Sequence, residues 1–204
     1  QVVTNEDILS RSTPLSNVIP PRKITLFKIE FLYTNPTIAF PYLNFAFKCG
    51  GQNQFSVIPL PVFLHKAVRN TNINTEQFNS RWNLITNPQL MADISIHLRC
   101  PFYRDNNFED QSIAWKEIEL ILKKSIGLEL PNCLKGSHGI LKLHELLVEF
   151  YAIIEYQPEK DPYTAIIHVK SNTEKGLSMI VMQLSEENSQ LAQMKNFLTR
   201  VKKY

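Results

Sequence analysis

The chain is poor in the residues that staple or anchor a fold. Only 3 of its 204 residues are cysteine, and Cys49, Cys100 and Cys133 are odd in number, widely spaced and without a CxxC pair. This pattern excludes a disulfide framework or a cysteine zinc site and suits the reduced thiols of a cytosolic protein. No apolar run approaches the roughly 20 residues that a membrane span requires. Charge of one sign is also scarce. The net charge of +3 is too small to imply nucleic acid or a membrane surface. The basic pairs Lys123-Lys124 and Lys202-Lys203 fall at expected helix C-termini, where cations offset the macrodipole. The sequence opens on Gln1 with no initiator Met, basic n-region or apolar h-region, so no signal peptide is expected and the chain reads as a piece of a longer polypeptide.

Catalytic and metal signatures are missing as well. His65, His97, His138, His144 and His168 show no metal spacing, and there is no HExxH, GxSxG, P-loop or dinucleotide fingerprint. Ser137-His138 sits within Gly136-Ser137-His138-Gly139, which reads as a solvated turn rather than a nucleophile and its base. Glu145 and Glu149 would pair at i+4 only on a helix. The expectation is therefore a protein without enzymatic activity, cofactor or metal.

What the sequence does contain is alternation between strand and helix patterns. Hydrophobic residues make up 44% and charged residues 20%, ordinary for a soluble globular chain. Residues 1–22 are rich in Ser, Thr, Asn and Pro and read as a linker or loosely held edge. From Lys23 a mostly apolar alternation predicts a strand, then Leu43, Phe45 and Phe47 alternate up to Lys48-Cys49-Gly50-Gly51, with Phe55 and Val57 beyond. A β-hairpin is the natural reading. Pro59 and Pro61 then break a third strand that runs through Leu64. Asn74 and Gln77 form a capping box opening a helix with Phe78, Trp82 and Ile85 on one face, stopped by Asn87-Pro88. Pro88 suits the first position of a short helix, and Ile94, Ile96 and Leu98 alternate as a strand.

Ser112 is the expected cap of a second helix, with Trp115, Ile118, Ile121 and Leu122 as its stripe and Gly127 as its stop. Residues 140–156 have a two-residue apolar period suited to one or two strands with a bend. Segments 164–169 and 176–184 are expected as the last two strands of an antiparallel sheet. Leu191, Met194, Leu198 and Val201 mark a closing helix capped by Asn188 or Ser189.

One stretch carries a resemblance. LNFAFKCGGQNQFSVIPLPVFLHK, followed by Phe78-Asn79-Ser80-Arg81-Trp82 and Asn87-Pro88-Gln89, is similar to the C-terminal appendage (ear) of alpha-adaptin, the large subunit of the endocytic clathrin adaptor complex. It covers roughly Lys23 to Tyr204, with 105–130 read as an insertion. The resemblance implies an α+β fold: a β-sandwich subdomain at 23–68, with only its C-terminal strands present, then a platform subdomain at 69–204 whose antiparallel sheet is flanked by helices. It implies a non-enzymatic interaction module that recruits endocytic accessory proteins, through short Phe-containing motifs, to clathrin-coated pits at the cytoplasmic side of the plasma membrane. The remaining adaptor subunits would be reached through the parent chain, with no nucleic acid bound and no direct membrane insertion. Trp82 corresponds to a tryptophan that accepts the motif's Phe, with Phe78 and Asn79 beside it. Where the family has a second Phe, this chain has Asn79. Family arginine positions on the closing strands become His168, Met179 and Gln183, and a glutamate position becomes Lys170. A largely lost basic rim predicts weaker binding of acidic Phe motifs, or a different motif. The alternatives are an appendage of another coat, from beta-adaptin or coatomer gamma, and a sheet-based nucleic-acid-binding domain.

Overall fold

The computed structural model describes residues 2–4, 6–12, 24, 26, 28–37, 39–60, 63–71, 73–99, 108–129, 136–156 and 160–186. The fold is α+β, with antiparallel sheets and helices in two compact units, residues 1–63 with 143–146, and residues 64–142 with 147–204. The expected closing helix with its cap at Asn188 or Ser189 lies outside the described residues.

The first unit contains β1 (Val2–Val3), β2 (Ile8–Ser12), β3 (Ile29–Tyr33), β4 (Tyr42–Cys49) and β5 (Gln52–Pro59). They form a three-stranded sheet, β1-β4-β5, and a two-stranded sheet, β2-β3. The β4-β5 hairpin is the one expected. Gly50 and Gly51 take φ of 57° and 83°, the left-handed pair that a two-residue turn needs to match strand twist. Within residues 1–22, read as a linker or loosely held edge, Val2–Val3 and Ile8–Ser12 are strands, β1 at the edge of its sheet, while residues 13–22 lie outside the described residues. The partners of β1 and β2 are distant, Val2 opposite Leu43 and Ile8 opposite Tyr33, so sparse local hydrophobicity underestimates their order. On this hairpin Phe47 is 52% and Phe55 79% exposed.

The second unit is built around a five-stranded antiparallel sheet. After a 3-10 turn at Leu64–Ala67 come β6 (Arg69–Asn70), α1 (Thr75–Leu84), a short 3-10 helix at Pro88–Leu90, and β7 (Met91–His97). Leu64, expected in a Pro-broken third strand, opens a helical turn instead, and Pro61 and Val62 lie outside the described residues. Asn74 caps α1 as expected, its Oδ1 accepting from the Gln77 N–H at 2.8 Å. α2 (Phe108–Ile126) begins before the expected Ser112 cap and ends at Gly127, where φ is 68°. Then come β8 (Gly136–Lys142), β9 (Leu147–Tyr156) and β10 (Thr164–Ser171), giving the sheet order β6-β8-β9-β10-β7.

Residues 174–186, which include the expected strand 176–184, form a helix, α3. Thr173 is its N-cap: Oγ1 accepts from Gly176 N–H at 3.1 Å and the Thr173 carbonyl from Leu177 N–H at 3.0 Å. Leu177, Ile180 and Leu184 are buried along one helical stripe. The expected strand pair 164–169 and 176–184 is thus a strand followed by a helix. The sequence between Leu177 and Leu184 is apolar enough to satisfy either period, and the cap decides.

Alternation fixes the two faces of the sheet. Val148, Phe150, Ala152 and Ile154 of β9 and Ala165, Ile167 and Val169 of β10 are buried on one face. Each large apolar side chain so removed from water contributes about 1.5–3 kcal/mol, so this layer dominates the second unit. α2 covers it, burying Ala114, Ile118, Ile121 and Leu122, with Trp115 edge-on to Tyr156 at 5.9 Å. α3 lies on the same face, because a Cβ added at its Gly176 would come within 2.7 Å of Val148 Cγ1 and Ser171 Oγ. The other face meets α1. Replacing Thr173 by Ala removes the α3 cap and is expected to cost about 1 kcal/mol, read as a lower urea midpoint; an unchanged midpoint would contradict the capping assignment.

Candidate functional site

The strongest candidate lies where α1 crosses the second face of the sheet. On this face the alternate residues are Glu149, Tyr151, Ile153 and Glu155 of β9, Thr164, Ile166, His168 and Lys170 of β10, and Met91, Asp93, Ser95 and His97 of β7. Phe78 is buried, packing edge-on to Tyr151 at 5.8 Å. It fits because Gly136 leaves room: a Cβ there would lie 2.9 Å from Phe78 Cζ. One turn later Trp82 stacks on Phe78, with centroids 6.0 Å apart and planes 14° from parallel.

Lys170 also meets the indole. Its Nζ lies 4.4 Å from the Trp82 ring centroid and donates to the carbonyl oxygens of Trp82 at 3.0 Å and Ile85 at 2.9 Å. These carbonyls end α1 and have no partner within the helix, so the ammonium supplies both a hydrogen-bonded cap and a favourable charge at the negative end of the dipole. Burial lowers the Lys170 pKa from its ordinary value. Trp82 is left half-buried: its ring is gripped by two neighbours while part of it remains open to solvent.

His168 stands two residues from Lys170 on the same strand face, roughly 7 Å along β10. Its Nδ1 lies 2.7 Å from Asp93 Oδ1 and its Nε2 3.0 Å from Glu155 Oε2. Both ring nitrogens facing carboxylates is the geometry of an imidazolium donating twice. Burial pulls the imidazole pKa down, but the hydrogen bonds to Asp93 and Glu155 and their charges outweigh it and raise the pKa. The resulting clasp ties β7, β10 and β9 together.

Beneath α1 lies a network that sequence reasoning missed. The Gly136-Ser137-His138-Gly139 segment, expected as a solvated turn, is the buried strand β8, with Ser137 1% and His138 4% exposed. Ser137 Oγ donates to Glu129 O at 2.6 Å, away from His138, because neighbours on a strand face opposite ways. His138 bonds through Nδ1 to Thr71 Oγ1 and rests on Tyr151 at 4.5 Å. Burial lowers its pKa. Tyr151 donates to Glu149 at 2.8 Å, and burial followed by this bond pushes its pKa up to about 12. Arg81 reaches Glu149 from α1 at 3.1 Å. The sequence signal was the glycine pair: Gly139 admits Leu128 and Val68 where a Cβ would fall 2.3 and 2.8 Å from their side-chain atoms.

Of the sequence-predicted site residues, Phe78, Trp82, Lys170 and His168 come together on one face. Asn79 is exposed on α1. Met179 and Gln183 lie on α3 rather than on a closing strand, and Met179 is only 2% exposed. α3 packs on the opposite sheet face, so these two are separated from the indole. Among the described residues there is no group of three or more His, Cys, Asp or Glu placed to hold a metal ion.

The fold and site together define an α+β domain in which a half-buried tryptophan, in contact with Phe78 and Lys170, stands beside a partly exposed face of the sheet. No family model and no curated protein matches the chain.

Two predictions follow from these contacts. Lys170→Met removes the ammonium from the α1 carbonyls and should lower stability by about 1–2 kcal/mol, with a red shift in indole emission as Trp82 loosens; a variant as stable as the parent would remove the capping role. The histidines act in opposite senses with pH. A raised His168 pKa gives stability fully present below about pH 6.5 and lost as pH rises through the folded value. A lowered His138 pKa gives stability present above about pH 6.5 and lost as pH falls towards the folded value. His168→Gln should therefore lose more stability at about pH 5.5 than at about pH 8.5, and His138→Phe the reverse. Urea midpoints at both pH values check this, and pH-independent losses would contradict it.

Proposed function

We propose that this chain is a non-enzymatic peptide-docking module, the appendage of an alpha-adaptin-like large subunit, which recruits endocytic accessory proteins through short Phe-containing motifs at clathrin-coated pits. The observation that carries the docking reading is the half-buried indole of Trp82, stacked on Phe78 and pinned by Lys170. A pre-ordered aromatic face gives a short motif a large apolar contact at little conformational cost. The adaptor assignment rests on the ordered sequence resemblance from Leu43 to Gln89. No helix among the described residues is long and apolar enough to cross a membrane.

The site residues enter this reading unequally. Trp82 and Phe78 supply the apolar contact, Lys170 and His168 its border, and Asn79 the exposed helix surface beside it. Met179 and Gln183 drop out, since they lie across the sheet. An appendage of another coat would use the same contact with different partners.

The nucleic-acid alternative is not favoured by the most exposed aromatics. Phe47 and Phe55 stand open on the β4-β5 hairpin, but Lys48 is the one charged residue between Tyr42 and Pro59, and affinity for a polyanion depends on several phosphate contacts. Titrating a Phe-containing peptide against wild type and Trp82→Ala tests the docking reading. The variant should bind at least tenfold more weakly, about 1.4 kcal/mol or more. Equal affinities would exclude the indole as the docking surface.

A further inference from the structure

The β4-β5 hairpin of the first unit ends its sheet at an edge without the features that keep a strand from pairing. Among the described residues the order β1-β4-β5 leaves β5 with no neighbour on its outer side. All eight residues of β5 are exposed. The run Gln52-Asn53-Gln54-Phe55-Ser56-Val57-Ile58 contains no charge and no proline. Its pairing with β4 is regular from Cys49 opposite Gln52 to Tyr42 opposite Pro59, with no bulge. Charged side chains, prolines and bulges are the means by which edge strands avoid a partner.

Register decides which groups face outward. The Gly50-Gly51 turn closes on the pair Cys49 and Gln52, which in a two-residue hairpin is a hydrogen-bonded pair. Alternation from there turns the N–H and C=O groups of Asn53, Phe55 and Val57 away from β4. The side chains of these residues share one face, where Phe55 is 79% and Val57 64% exposed. We propose that β5 pairs antiparallel with β5 of a second copy of this chain, about a two-fold axis at Phe55. That register sets Phe55 opposite its own counterpart and Asn53 opposite Val57, so the outward N–H and C=O groups of these residues satisfy one another. The exposed rings meet as a cross-strand aromatic pair.

The absence of charge is what makes a second copy the occupant. A two-fold contact brings residues near the axis against themselves or their near neighbours, where a charge would meet its like. The one charge of the hairpin, Lys48, lies on β4 opposite Asn53, a strand back from the axis. The contact also closes, because the opposite edge of the sheet is β1, only two residues long. One strand edge buries less than the roughly 1,200 Å² of a standard interface, so a weak dimer with Kd on the order of 0.1 mM is expected. This pairing involves the first unit alone and does not rest on the docking reading.

Sedimentation of the whole 204-residue chain between about 5 µM and about 1 mM tests it, and the average mass should rise from monomer towards dimer. Phe55→Lys, at a largely exposed position, sets two ammonium groups face to face and should weaken association about tenfold or more. Val57→Pro removes one outward N–H while leaving the β4 ladder and the Phe55 ring in place, and should also weaken it. Phe55→Lys keeps the test valid if Val57→Pro unfolds. A parent chain that stays monomeric, or a dimer that survives Phe55→Lys, overturns the proposal. A dimer lost in Phe55→Lys but unchanged in a folded Val57→Pro variant is a stack of rings rather than a paired edge, and overturns it too. Amide hydrogen exchange completes the test. Protection of Phe55 and Val57 that grows with protein concentration supports the pairing, whereas full protection at the lowest concentration means that another part of the chain covers the edge, and the proposal falls.

Discussion

The second unit turns on a single ammonium group. Lys170 Nζ sits at once under the last carbonyls of α1 and against the Trp82 ring. Without it the helix would end over a sheet face with two part-buried oxygens deprived of their donor, at a cost of about 1–2 kcal/mol in all. β10 is a central strand with neighbours on both sides, so the backbone that carries the lysine is fixed, and the two hydrogen bonds of its ammonium tie the end of α1 to the sheet. The indole is thereby held between Phe78 and a side chain of the sheet. This link between packing and function is direct: an aromatic surface already held in place does not spend binding free energy on ordering itself.

The two sheet faces divide the labour. One is sealed by α2 and α3 over a layer of branched and aromatic side chains and supplies the cohesion. The other is only partly covered by α1 and carries polar groups in cross-strand pairs, among them the His168 clasp and the Arg81-Glu149-Tyr151 chain. Such pairs add little stability at the surface, but they set the local charge.

Much of this was legible in the sequence where a local signal was also the deciding one. The Gly50-Gly51 turn, the Asn74-Gln77 cap and the Gly127 stop each act within a few residues, and each stands where expected. The failures came where the decision is non-local or the period ambiguous. β1 and β2 are strands because distant partners pair with them. The run from Leu177 to Leu184 fits both periods, and Thr173, whose cap settles it, was passed over. The Gly136 to Gly139 segment looked like a turn because its glycines were taken for flexibility, when they make room for Phe78, Leu128 and Val68. At the site, Phe78 and Trp82 could be seen from helical spacing, and Lys170 and His168 were reached through the resemblance. The Asp93 and Glu155 partners could not be seen, since strand register across β7, β10 and β9 brings them together. Met179 and Gln183 were misplaced for the same reason as α3.

The chain has 2 tryptophans, Trp82 and Trp115, and they lie on opposite faces of the same sheet. This makes the indole N–H resonances, assigned with a Trp82→Phe variant, a direct reporter. On adding a Phe-containing peptide, the Trp82 resonance should shift in a saturable way while that of Trp115 stays in place. A shift confined to Trp115, or binding that moves neither resonance, would contradict the account.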